Sequence, residues 1–135
     1  VYNTPLYQAL IEADEQPERV IAQNGDIGMK NGEWVEFIPH TFLRGANLKN
    51  RVVILDECQN YSVIEMRKVL TRCSDTSKVI CIGHNGQRDA HTEGKSAFTQ
   101  YMEHFAGDDR AAFCPLIKNY RGWIANHADS LPNDE

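Results

Sequence analysis

Apolar positions along the chain switch between helical spacing and short continuous runs. Residues 4 to 14 open with Thr4 and Pro5, an N-cap followed by a proline at the first helical position, and Leu6, Ala9, Leu10 and Ala13 share one face. The stretch 15 to 32 is polar and Gly-rich, with Asn24-Gly25 and Asn31-Gly32 as turn signals. Trp34 to Pro39 reads as a short strand. Arg51-Val-Val-Ile-Leu-Asp56 is a continuous aliphatic run, the pattern of a strand buried on both faces of a parallel sheet. Ser62-x-x-Glu65 has the form of a capping box and predicts a helix to about Cys73, with Val63, Met66, Val69, Leu70 and Cys73 as its apolar stripe. Lys78 to Ile82 predicts a second buried strand. Ser96 to Phe105 predicts a helix, Ala111 to Ile117 a strand, and a last helix after Arg121 carries Trp123, Ile124 and Ala128. This alternation predicts an α/β layer fold with a mostly parallel sheet and right-handed crossovers.

Composition narrows the function classes. The chain has 135 residues, room for one compact domain. Its 14 Lys+Arg against 19 Asp+Glu give a net charge of −5, which excludes a wholly basic nucleic-acid coat but not a local basic patch. No apolar run approaches the roughly 20 residues of a membrane span. Cys58, Cys73, Cys81 and Cys114 form no C-x-x-C pair, and three of them sit in apolar stretches. Buried, reduced thiols in a cytoplasmic protein are the expectation. The five histidines include no pair at helical ligand spacing, so a zinc site is not expected.

The sharpest chemical signal is Val52-Val-Ile-Leu-Asp-Glu57. Ligands of open α/β sheets bind beyond the carboxyl ends of the strands. There one acid can hold Mg²⁺ through water, and the next can orient or deprotonate an attacking water. The competing reading is a strand that simply ends in polar loop residues. Strand, helix and strand from Arg51 to Ile82 make one βαβ unit, so Gly83-His-Asn-Gly-Gln-Arg-Asp89 should open on the same sheet edge as Asp56 and Glu57. That places Gln87 near the acids. The Gly-x-x-Gly element from Gly83 suits a loop passing close to a ligand.

At these residues the sequence resembles the PhoH-like proteins, P-loop NTPases related to the ATPase core of superfamily 1 helicases. Asp56-Glu57-Cys58-Gln59-Asn60 is similar to their DEAQN-type Walker B, and Thr4 to Leu10 to their PLYDAL helix. Glu36 to Gly45, with Leu48 and Asn50, is similar to their E-x-x-P…R-G-x-x-L-x-N segment. Leu70-Thr71-Arg72 matches an LTR helix end, Gly83-x-x-x-Gln87-x-Asp89 a G-D-x-x-Q-x-D motif, and Asn119-Tyr120-Arg121 the place of a late arginine. The resemblance runs over roughly residues 4 to 128. It implies a three-layer αβα core of P-loop NTPase or RecA-like type, present in part over residues 1–135, with a flexible tail at 129–135. It also implies ATP and Mg²⁺ as cofactors. Asp56 would hold the metal through water, Glu57 would activate water, and Gln87 would contact the γ-phosphate or that water. Arg121 would act as an arginine finger across the interface of a ring-forming homo-oligomer. Arg44 would position the nucleotide or the neighbouring subunit, and Gly83 would lie against the cofactor. RNA or single-stranded nucleic acid is the implied macromolecular partner.

Two departures modify what is implied. His84 stands where the family has Asp. No G-x-x-x-x-G-K-S/T occurs in the chain: Gly94-Lys95-Ser96 mimics its end, but position 89 is Asp, and the sequence there reads as a loop entering a helix. With a first residue of Val1, this suggests the C-terminal half of an ATPase core, whose phosphate-binding strand would pair with the Arg51–Asp56 edge. Lacking that strand, the isolated chain is expected to be poorly stable or to associate. A non-catalytic regulatory or assembly module that lost the phosphate-binding loop is the alternative. Retention of Asp56, Glu57, Gln87 and Arg121 together argues against it.

Overall fold

The computed structural model describes residues 4–22, 32–39, 41, 43, 45–84 and 95–130. The chain divides into two compact units, Val1–Gln100 and Tyr101–Glu135.

The first unit begins with α1 (Thr4–Glu12) and the short α2 (Pro17–Val20). α2 forms inside the stretch expected to be turns, because Pro17 at its first position presets the backbone angle. Leu10, Val20 and Ile21 form a small buried cluster, with Leu6, Tyr7 and Val35 packed against it. Ala9 and Ala13, expected on the buried face of α1, are exposed, since α2 meets the helix along Leu6, Tyr7 and Leu10. The strand expected at Trp34–Pro39 reduces to one parallel bridge, Ile21 to Val35, held by Ala22 N–H to Val35 O at 2.8 Å and Val35 N–H to Val20 O at 2.9 Å.

The centre of this unit is a parallel pair, β1 (Val52–Leu55) and β2 (Lys78–Cys81), joined through α3 (Val63–Leu70). The register sets Val52 opposite Lys78 and Leu55 opposite Cys81. This is the expected βαβ unit, a small parallel sheet with flanking helices. The segments entering the strands are stitched together as well. Leu48 bridges Cys73, and Ser77 Oγ donates to Leu48 O while accepting from Arg51 N–H. Arg51 is also ion-paired with the largely buried Glu36.

Burial departs from the expectation for β1 and β2. Leu55 is buried, but Val52 and Ile54 are each 61% exposed, and Ile80 and Ile82 are also exposed. Pairs in register point to the same side, so one sheet face lies open while the Leu55–Cys81 side is partly covered, most completely at Leu55. The aliphatic run of Arg51–Asp56 records a capacity for burial on both sides. The described residues use it on one.

α3 forms as its cap predicts. Glu65 N–H donates to Ser62 Oγ at 3.2 Å, and Ser62 N–H donates to Glu65 Oε2 at 2.8 Å. Met66 and Val69 are its buried positions. α4 (Ala97–Phe105) starts after Ser96, whose hydroxyl accepts Thr99 N–H at 3.1 Å, so Lys95 and Ser96 lead into a helix as read from the sequence. Gly94 lies outside the described residues.

The unit boundary falls within α4. In the second unit, Tyr101 and Phe105 stack on successive turns of the helix. Residues 111–117 form no strand, and Phe113, Leu116 and Ile117 are exposed. The apolar pattern there is suited to a ladder, but the described residues of the unit contain no strand to pair with. α5 (Trp123–Asp129) follows Arg121 as expected, with no buried residue. Of the tail expected to be flexible, Asp129 ends α5 and Ser130 donates to His127 O; the rest lies outside the described residues. All four cysteines are free; Cys58 is buried as expected, Cys73 and Cys81 are partly buried, and Cys114 is exposed, contrary to the expectation of buried thiols. No helix among the described residues is long and apolar enough to cross a membrane.

Removing the cap tests how far α3 depends on its local sequence. Ser62→Ala should lower stability by about 1 kcal/mol, read as a reduced urea midpoint with an unchanged slope.

Candidate functional site

The carboxyl end of β1 delivers Asp56 and then Glu57, both exposed. Glu57 adopts the left-handed conformation, φ 53° and ψ 40°, and begins a 3₁₀ turn over Cys58–Asn60. For a residue with a Cβ this costs on the order of 1–2 kcal/mol. It is stabilised locally by Glu57 N–H donating to Asp56 Oδ1 at 2.9 Å. The reversal keeps both acids at the strand end. With Asn60, Tyr61 and Glu65 they line an open depression of about 280 Å³. That is below the roughly 300–1,000 Å³ of sites that enclose a drug-sized ligand.

The turn is tied to the end of β2. Ile82 N–H donates to Leu55 O, and Cys58 N–H to Ile82 O, both at 2.8 Å, so the ladder continues one step past the strands. Gln59 is 3% exposed and makes two further links. Its Nε2 donates to Glu57 Oε2 at 2.5 Å, and its Oε1 accepts His84 N–H at 3.0 Å. One buried amide thus fixes the rotamer of the second acid and the path of the chain leaving β2. Gly83 completes the contact. A Cβ there would stand 2.9 Å from Phe98 Cδ1 and 3.1 Å from Gln59 Oε1, so the absence of a side chain is a packing requirement.

Beneath the acids, Cys58 is fully buried and donates from Sγ to Leu55 O at 3.2 Å. Its hydrogen bond with the Cys81 thiol, followed by burial, pushes the Cys58 thiol above its ordinary range. Burial also raises the Tyr61 phenol, and the nearby acidic groups, Glu65 and Asp56 among them, add to it; Tyr61 therefore faces the depression in its neutral form.

The structure brings together Asp56, Glu57 and, through Gln59, Gly83 and His84. Arg44 and Gln87 lie outside the described residues. Arg121 belongs to the second unit, just ahead of α5. Its N–H donates to Asn119 Oδ1 at 2.8 Å, its carbonyl accepts from Asn126 Nδ2, and its guanidinium lies 3.6 Å from Asp129. Gln59 was not singled out by sequence reasoning. The available signal was an amide two residues after a strand-end acid, in a segment too short and polar to be a core element. No group of three or more His, Cys, Asp or Glu side chains placed to hold a metal occurs among the described residues.

Replacing the clamp should therefore be costly out of proportion to its size. Gln59→Leu keeps the volume but leaves His84 N–H without its acceptor and Glu57 without its donor. A loss of about 1–3 kcal/mol is expected, measured by urea denaturation; a loss below that range would show that water replaces both bonds.

Known proteins similar in sequence to this chain belong to one family. The family model described as PhoH-like protein matches residues 1–121. The chain is 36% identical over 112 residues to a PhoH-like protein of Synechocystis, covering 83% of this chain and 32% of that protein. It is 36% identical over 108 residues to Protein PhoH of Escherichia coli K12, covering 80% and 29%. A PhoH-like protein of Bacillus subtilis is 34% identical over 117 residues, covering 85% and 34%. The chain thus spans about a third of the length of these curated relatives. No solved structure matches it significantly.

Proposed function

The chain belongs to the PhoH-like protein family, and on that premise we propose that residues 1–135 are the Walker B to arginine-finger part of an ATP-hydrolysing P-loop core. The observation that carries this reading is the pair Asp56–Glu57, turned by a left-handed backbone at the carboxyl end of a parallel strand onto an open depression. Ligands of α/β sheets bind at that edge.

The donor chemistry fits Mg²⁺ in its usual phosphate-site form. That ion keeps several waters and is held by one or two carboxylates plus substrate phosphates, so an exposed strand-end carboxylate suffices. When bound, Mg²⁺ would neutralise charge on the phosphate oxygens. Asp56 would hold it through water, with Oδ1 already oriented by Glu57 N–H. Glu57 would take up a proton from the attacking water at the carboxylate oxygen that Gln59 does not engage. Gln59 is in this reading a positioning residue, since it acts through Glu57. Gln87, Arg44 and Arg121 keep the roles drawn from the family resemblance: γ-phosphate or water contact, nucleotide or subunit positioning, and an arginine finger in a homo-oligomeric ring. Gly83 would bring the chain close to the cofactor. RNA or single-stranded nucleic acid as the remodelled substrate, and a cytoplasmic location, follow from the resemblance; the net charge of −5 lends no support to nucleic acid.

Two measurements test the assignment. Titrated with Mg-ATP in a calorimeter, the 135-residue chain should show no micromolar binding, because no phosphate-gripping loop is in its sequence; such binding would demand another phosphate site. In a protein that joins this chain to a G-x-x-x-x-G-K-S/T segment, Glu57→Gln should lower turnover by about 10²–10⁴-fold while sparing ATP binding. Unchanged hydrolysis would remove Glu57 from the mechanism.

A further inference from the structure

The position between Glu57 and Gln59, alanine in the DEAQN-type motif that the segment resembles, is Cys58 in this chain, and a second cysteine faces it. Cys81 ends β2 in register with Leu55, three residues before Cys58. Leu55 O accepts both Ile82 N–H at 2.8 Å, from the peptide that follows Cys81, and Cys58 Sγ at 3.2 Å, so the Cys58 thiol lies beside the backbone that leaves Cys81. The two thiols influence each other, their interaction raising the Cys58 thiol and lowering that of Cys81. Cys58 is wholly buried, whereas Cys81 is partly exposed and offers a hydroperoxide its point of entry.

We propose that Cys58 and Cys81 are a reversible oxidation site, closing to a disulfide that ties β2 to the turn bearing the two acids. A hydroperoxide transfers one oxygen to Cys81 Sγ, giving a sulfenic acid as the O–O bond breaks and water or an alcohol leaves. Cys58 Sγ then attacks Cys81 Sγ, the S–O bond breaks, and water departs with the Cys58 proton. In sum, two thiols lose two electrons and two protons, and the peroxide is reduced. The new bond competes with the present contacts of the turn. Cys58 gives up its Sγ–H donor to Leu55 O, and the residue directly after Glu57 is drawn toward β2. Glu57 holds a strained left-handed conformation and its carboxylate is set by Gln59, so displacement at Cys58 is transmitted to the acid. This consequence for turnover rests on the function proposed above. The cross-link itself does not.

The test treats the chain with hydrogen peroxide, blocks remaining thiols by alkylation and maps peptides without reduction. A Cys58–Cys81 linked peptide that separates on adding dithiothreitol is the expected result. Cys58→Ala should abolish the link and leave Cys81 as a sulfenic acid captured by dimedone. Cross-links of Cys81 to Cys73 or Cys114, or Cys58 and Cys81 both still alkylatable, would overturn the proposal. In a longer protein with measurable ATP turnover, peroxide should lower the rate by about a hundredfold, with recovery on reduction and resistance in Cys58→Ala. Equal inactivation of Cys58→Ala would break the connection to the acids. Absent turnover in the reduced protein would count against the ATPase reading, while the peptide map would still decide the cross-link.

Discussion

The parallel pairing of β1 with β2 is the constraint on which the site depends. A parallel pair needs a crossover, and α3 supplies it, so both strands end on the same side of the unit. Two hydrogen bonds beyond the strands, Ile82 N–H to Leu55 O and Cys58 N–H to Ile82 O, carry the ladder into the turn. Because that turn is registered against β2, Asp56 and Glu57 are held at a defined height above the sheet. Without this extension they would be two acids in a loop.

Gln59 converts backbone register into side-chain geometry. A buried amide without partners would be unfavourable by several kcal/mol at the upper end of such estimates, and here both its ends are satisfied by groups 2 and 25 positions away. The bond to His84 N–H uses the backbone. It therefore does not depend on which side chain stands at this position. The left-handed Glu57 is the counterpart of this order: local strain held in place by surroundings that determine it several times over.

Much of this was legible in the residue order. The capping box Ser62-x-x-Glu65 announces α3 within one residue of its start, since both partners lie inside a single turn. The aliphatic runs ending at Asp56 and Ile82 announce β1 and β2. The strands expected at Trp34–Pro39 and Ala111–Ile117 show the limit of the same reasoning. Their patterns suit a ladder, but a strand exists only where a partner backbone is in reach, and among the described residues these segments find no more than the single Ile21–Val35 bridge. The open face of Val52, Ile54, Ile80 and Ile82 makes the same point for burial.

By itself, then, the sequence determined the βαβ unit, its capped helix and the delivery of two acids at a strand end, because period, cap and polarity act over a few neighbouring residues. The tertiary structure alone decided that Glu57 would turn left-handed, that Gln59 would be buried as the clamp on it, and that Cys58 would be tied to the residue following Cys81. Each of these depends on contact between the end of β1 and the end of β2, segments that lie far apart along the chain and are brought together only when the sheet forms.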